Sequence, residues 1–220
     1  AAAAGGRSPL PRLVAVSKTK PNGLLQEAYD AGVRDFGENY VQELVGKAPA
    51  LPADIRWRFI GKLQSNKAKA LVSGVPNLVA IETVDSLKLA HRIEAAVASA
   101  DTPRAAPLDV LLQVDTSPWE GTKNGMPAEE VPEVAAAVAA ECPHLRLAGL
   151  MTIGAPGDAS CFQALADCRA AVAARLGIEP SALELSMGMS GDFEAAVGAG
   201  STSVRVGSSI FGERDYSSKG

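Results

Sequence analysis

Eight short apolar runs, separated by segments of helical character, constrain this chain more than any other feature. They are Leu13 to Ser17, Val33 to Gly37, Trp57 to Gly61, Leu78 to Val84, Leu108 to Asp115, Leu145 to Ile153, Ala182 to Met187 and Ser203 to Gly207. Most are continuous in Val, Ile and Leu rather than alternating, as strands covered on both faces must be. The intervening segments read as helices. Pro21 can open the first and Gly32 can close it. Asp85 stands where it can cap the helix that carries Leu89, Ile93 and Val97 at spacing four. Val131, Val134 and Val138 mark another, with Glu129 and Glu130 near its start and Pro132 tolerable only in its first turn. Asp158 to Leu176 places Cys161, Leu165, Cys168 and Val172 on one face. Ser190 and Asp192 open a short helix stopped by Gly198 and Gly200.

Strands alternating with helices in this way predict an α/β fold, a single parallel (β/α)8 TIM-like barrel. An open doubly wound sheet is the alternative. At 220 residues the chain is a little short of the roughly 250 of a typical barrel. Its hydrophobic fraction of 47% is enough for one large core. No linker or change of composition divides it, so residues 1–220 read as one domain.

The formal net charge of -4 gives no concentrated basic face for nucleic acid or a membrane surface. No apolar run approaches the roughly 20 residues that span a bilayer. The opening AAAAGG lacks the charged and apolar regions of a signal peptide. Three cysteines, an odd number, and no Asn-x-Ser/Thr sequon point to a reducing interior. The expectation is a cytoplasmic protein, with an organelle left open because a transit segment could have been removed.

In a barrel, function gathers at the carboxyl ends of the strands. Lys18 lies just past strand one, in LVAVSKTKP. It is either a solvated strand end or a reactive amine held at the rim of the core. Glu38 and Asn39 follow strand two. Strand seven runs into LSMGMSGD (Leu185 to Asp192), and strand eight runs into VRVGSSIFG (Val204 to Gly212). Both segments offer small residues and hydroxyls that could cradle a phosphate, or they are ordinary Gly/Ser connections. Arg205 sits inside strand eight between two valines, where an unpaired charge is costly. It needs a carboxylate such as Glu184, or a ligand heteroatom. A lysine, a phosphate cradle and an inward arginine together suggest a phosphorylated carbonyl ligand held as a Schiff base. Pyridoxal 5′-phosphate fits all three.

Six motifs in strand order then make the chain recognisable: AVSKTKP, FGENYVQE, FIGKLQSNK, GLMTI, LSMGMSGD and VRVGSSIFG. With these it resembles the pyridoxal phosphate homeostasis protein family, whose barrel is related to the N-terminal domain of alanine racemase. The resemblance implies a protein that binds pyridoxal 5′-phosphate in vitamin B6 and amino-acid homeostasis, without established catalysis. It puts the Schiff base on Lys18 rather than Lys20, and the ring nitrogen on Arg205. It gives the phosphate to Ser186, Gly207 and Ser208, with Met187 and Ser190 beside it, and makes Asn39 a contact near the ring. Two departures stand out. Arg58 replaces the histidine that usually precedes FIG, which bears on chemistry at the rim. The helix usually found before strand one is largely missing, which bears on closure of the barrel bottom.

Three functions compete. The first is a holder of the cofactor that hands it to apo-enzymes. The second is an amino-acid racemase, which would need a further β domain. The chain ends at Gly220, soon after the barrel should close, so a monomeric binding protein is expected and no residue is assigned as catalytic. The third is a Schiff-base aldolase of a sugar phosphate, which would carry no cofactor absorbance. His91 and His144 have no second ligand at metal spacing, so no metal site is expected. Cys161 and Cys168 read as core and Cys142 as inert. Trp119, in SPWEGTKNG, reads as a surface-loop residue. Lys62, Lys67 and Lys69 read as a solvated helix face in preference to a weak anion site.

Overall fold

The structure is a computed structural model that describes residues 10–100, 104–117, 125–155 and 158–213. Its strands and helices alternate along the chain: β1 (Arg12–Val16), α1 (Asn22–Asp30), β2 (Asp35–Glu38), α2 (Val41–Lys47), β3 (Arg56–Phe59), α3 (Ala68–Gly74), β4 (Leu78–Val84) and α4 (Leu87–Ala98). They continue as β5 (Leu108–Asp115), α5 (Val131–Glu141), β6 (Leu145–Met151), α6 (Ser160–Leu176), β7 (Glu184–Met189), α7 (Phe193–Gly198), β8 (Ser203–Val206) and α8 (Ser208–Phe211). A two-residue strand, Met126–Pro127, pairs with the end of β5. The order around the sheet is β4-β3-β2-β1-β8-β7-β6-β5, and β4 pairs with β5 to close it. All of these pairings are parallel. The eight-stranded barrel expected from the sequence is therefore the fold, and the open sheet is not.

Strand boundaries follow the apolar runs. The fourth and fifth runs coincide with β4 and β5. The others shift by one or two residues. The cap of α4 is Ser86 rather than Asp85: its hydroxyl accepts from the Leu89 amide at 3.2 Å. Asp85 sits one residue too early to reach that turn. Helices α2 and α3 lie in segments read as helical only in general terms, because seven-residue helices leave almost no periodicity from which to place them. Trp119 lies outside the described residues.

Alternate strand residues face outward against the helices. Ala15, Phe36, Trp57, Ile81, Leu112, Leu185 and Met187 share one core with Leu25, Leu44, Ile93, Leu165 and Val172 from the helices. Each such side chain contributes about 1.5–3 kcal/mol of burial. Cys142 and Cys168 belong to this core and Cys161 is fully buried, as expected of structural thiols. Burial pushes the Cys168 thiol up to about 11, and the thiolate is the reactive form. Alkylation of the native protein at pH 8 should therefore spare Cys168 until the chain is unfolded, as peptide mapping will report.

The inward-facing set departs from a typical apolar barrel interior. Arg58 is 2% exposed, donates to Glu82 at 2.6 Å, and lies 3.5 Å from Glu184 and 3.7 Å from Asp35. Arg12 donates to the same Glu184 oxygen at 2.7 Å. On the far side of Glu82, the Ser186 hydroxyl donates to its second oxygen at 2.5 Å. Strands β4 and β7 are not neighbours in the sheet, so this contact crosses the interior. Burial works against the charge on Arg58, but Glu82, Glu184 and Asp35 outweigh it and push the pKa up. Arg58 was read as bearing on the rim. It lies instead inside the barrel, because position 58 has inward parity within β3.

Candidate active-site cavity at the strand ends

A cavity of about 370 Å³ opens where the strand carboxyl ends converge. That is within the usual range for small-ligand sites, roughly 300–1,000 Å³. A larger hollow of about 640 Å³ lies at the opposite end, around Arg104, Pro107 and Asp109 at the start of β5. Strand direction and chemistry both favour the smaller one. It is lined by Lys18, Lys20, Asn39, Ser190, Gly191, Arg205, Gly207 and Ser208, together with Val16, Ile60, Met151, Ile153, Met189 and Gly212.

Lys18 follows β1 in a tight turn, closed by the Lys20 amide donating to the Ser17 carbonyl at 3.1 Å. Thr19, the next residue, has φ 63°. That conformation is unusual for a β-branched residue and costs on the order of 1–3 kcal/mol. A buried polar cluster lies beneath the turn. The Lys47 ammonium donates to the Ser17 carbonyl at 2.9 Å, to Glu38 at 2.7 Å and to Glu43 at 2.5 Å. The same Glu43 oxygen accepts from the Thr19 amide at 2.6 Å. Ser17 donates to Glu38 at 2.7 Å. Burial holds the Glu38 carboxyl above its ordinary pKa, with Lys47 and Ser17 opposing.

Lys20 donates to the carbonyls of Phe211, Gly212 and Glu213 at 2.8, 3.2 and 2.7 Å. Its three donors are committed to the end of α8. Lys18, like Lys20, lines the cavity.

Arg205 is 4% exposed. It donates to the Ser186 hydroxyl and to the Thr152 carbonyl, both at 2.8 Å. Glu184, the carboxylate offered as one alternative for Arg205, is engaged by Arg12 and Arg58 instead. Burial lowers the Arg205 pKa, and Glu82 and Asp192 oppose that. An arginine remains charged under those conditions. Arg205, Ser186, Glu82 and Arg58 thus form one hydrogen-bonded chain from the cavity floor through the interior.

The two Ser/Gly segments meet as a pair. The Gly207 amide donates to the Ser190 hydroxyl at 3.1 Å, and Asp192 holds the Met189 amide at 2.6 Å. Ser190, Gly191, Gly207 and Ser208 reach the cavity. Ser186 and Met187, expected at a phosphate, do not line it. Both are fully buried. Ser186 turns into the barrel toward Glu82 and Arg205, and Met187 turns outward into the helix-facing core. Strand β7 runs to Met189, two residues beyond the expected end, which moves the rim to Met189 and Ser190.

Asn39 reaches both this cavity and a neighbouring groove containing Lys62 and Lys67. Its side-chain oxygen is buried with no hydrogen-bond partner, a polar atom that a ligand donor would satisfy. A Cβ at Gly61 would overlap the Asn39 backbone, so FIG allows the two loops to touch and fixes Asn39. The sequence reading missed Ile60, Met151 and Ile153. The last two lie in GLMTI at the end of β6, and strand parity there was the available signal.

The chain matches the family model of the alanine racemase N-terminal domain over residues 3–215. It is 47% identical over 220 residues to a pyridoxal phosphate homeostasis protein of Bos taurus, covering 95% of this chain and 79% of that one. It is 45% identical over 222 residues to the Escherichia coli protein of the same name, covering 97% and 91%. Among solved structures, PipY of Synechococcus elongatus with PLP bound superimposes with a TM-score of 0.72 at 35% identity, covering 93% and 94%.

Proposed function

This chain belongs to the pyridoxal phosphate homeostasis protein family, built on the alanine racemase N-terminal domain, and on that premise we propose that it holds pyridoxal 5′-phosphate on Lys18 and performs no amino-acid turnover of its own. The observation that carries this reading is the composition of one cavity. It brings together an amine, a buried guanidinium and two hydroxyl-bearing glycine loops.

The residues fit the group. Lys18 would supply the amine that condenses with the aldehyde, with loss of one water. Ser190, Gly191, Gly207 and Ser208 would hold the phosphate, in place of Ser186 and Met187. Arg205, held by Ser186 and Thr152, would meet the ring nitrogen. Asn39 offers its unpartnered oxygen near the ring. When bound, the cofactor supplies a reactive aldehyde and, in enzymes, an electron sink. A fixed cation beside the ring nitrogen disfavours its protonation and weakens that sink.

Among the described residues, the cavity wall carries no second proton-transfer group besides the lysines. Among the described lining residues there is no His, Cys, Tyr, Asp or Glu, and the Lys20 ammonium is committed to three carbonyls. A positioned acid or base is worth roughly 10²–10⁴-fold. We therefore read the protein as a carrier that buffers the aldehyde and yields it to apo-enzymes. Cys142, Cys161 and Cys168 are free thiols, which favours a reducing, cytoplasmic setting. Among the described residues, no helix is long and apolar enough to cross a membrane.

The test is to incubate the holo-protein with L-alanine and other amino acids and follow the products by chiral chromatography. Turnover at about 1 s⁻¹ or faster, the low end of enzyme rates, would replace the carrier with a racemase. A protein without imine absorbance would favour the sugar-phosphate aldolase. The phosphate cradle has its own check. Ser208→Asp sets a charge against the phosphate and should weaken binding by about 1.5–3 kcal/mol, the scale of a charged hydrogen bond. Equal affinity for pyridoxal with and without its phosphate would remove the cradle from the account.

A further inference from the structure

The strained turn at Lys18 is held from both sides by one polar cluster, buried at Lys47 and Glu38 and partly exposed at Glu43. We propose that Lys47 is a positioning residue for Lys18, holding the Ser17–Lys20 turn in the conformation that aims the amine into the cavity. The inference rests on Lys18 being the residue that bonds the cofactor, and it assigns Lys47 no contact with the ligand.

Three observations converge. The Lys47 ammonium is 8% exposed and donates to the Ser17 carbonyl at 2.9 Å, immediately before Lys18. It also fixes Glu43, whose same oxygen accepts the Thr19 amide immediately after Lys18, at 2.6 Å. The residue so held, Thr19, is the one non-glycine residue with positive φ among the described residues. A β-branched residue leaves that region when its anchor is removed, and a glycine does not. Glu38, fully buried beneath Ser17, completes the cluster by accepting from both Lys47 and Ser17.

This arrangement predicts a particular pattern of loss and rescue. If the turn is populated only in part, apparent affinity and imine formation fall by that fraction. Lys47→Met should slow imine formation by about tenfold, and Glu43→Ala by somewhat less. Adding Thr19→Gly to either should recover most of the loss, because glycine accepts the turn without a clamp. In wild type, Thr19→Gly alone should change little.

The experiment compares these variants in two ways. The first readout is the rate of appearance of imine absorbance with pyridoxal 5′-phosphate. The second, on the protein without cofactor, is amide hydrogen exchange at Thr19. Slower imine formation, faster exchange at Thr19 and rescue by glycine support the assignment. Wild-type rates in both Lys47→Met and Glu43→Ala overturn it. So does a loss that Thr19→Gly fails to rescue, because Lys47 would then be structural only. If Lys47→Met does not fold, the Glu43→Ala pair decides, since Glu43 is partly exposed. Borohydride mapping of wild type separates the premise from the inference. An adduct away from Lys18 overturns the carrier site itself, while Thr19 exchange still reports whether the clamp exists.

Discussion

Lys18→Ala is expected to remove the imine absorbance of the holo-protein completely. What remains should be a weak, readily dialysed complex held by the phosphate and ring contacts, each worth about 1.5–3 kcal/mol where charged. Borohydride reduction of wild type, followed by peptide mapping, should place the pyridoxyl group on Lys18. Lys20→Ala should keep the absorbance, because the Lys20 donors serve the carbonyls of residues 211–213 and not the ligand. Its cost should appear as a looser α8 instead. An adduct on Lys20 or Lys62, or full absorbance in Lys18→Ala, would overturn the assignment.

Glu82→Ala should give the largest loss of stability of any single change described here. Glu82 is fully buried and takes a hydrogen bond from Arg58 on one oxygen and from Ser186 on the other. Its removal leaves Arg58 without its nearest partner and leaves the Ser186–Arg205 bond without its support. Breaking a buried ion pair from one side costs about 3–5 kcal/mol. Replacing both members by apolar residues can be nearly neutral, so Arg58→Met combined with Glu82→Met should recover much of the loss. Denaturant midpoints of the single and double variants provide the measurement. A Glu82→Ala protein within about 1 kcal/mol of wild type would mean that water or relaxation satisfies Arg58.

These two expectations rest on features of unequal visibility in the sequence. The barrel was readable because parallel strands buried on both faces leave continuous apolar runs, and β4 and β5 coincide with theirs. Strand position was enough to bring Lys18, Asn39, Ser190, Arg205, Gly207 and Ser208 to the strand-end cavity that they line. Ser186 and Met187 do not line it, because two extra residues in β7 carry the rim past them. Apart from Arg205, the interior charges were hidden for a different reason. Arg12, Asp35, Arg58, Glu82 and Glu184 come from five different strands, and nothing in their local sequence shows which of them meet. Only the closure of the barrel brings Glu82 of β4 against Ser186 of β7. The pairing of Arg205 with Glu184 was the natural local guess. It failed because side-chain reach, not sequence proximity, decides which charges meet. The turn at Thr19 left no signal either, since nothing in SKTKP demands a left-handed residue.

The shared interior charges also constrain how such a chain can change over generations. Arg58 serves three acids, and Glu82 serves both Arg58 and the serine beneath Arg205. A mutation at any one of these positions is judged against the residues then present at the others. A lineage crossing from one arrangement to another must therefore pass through a weakened intermediate or change two positions almost together. Tolerance at position 58 becomes a property of the genetic background, and a residue acceptable in one relative can be damaging when moved alone into another.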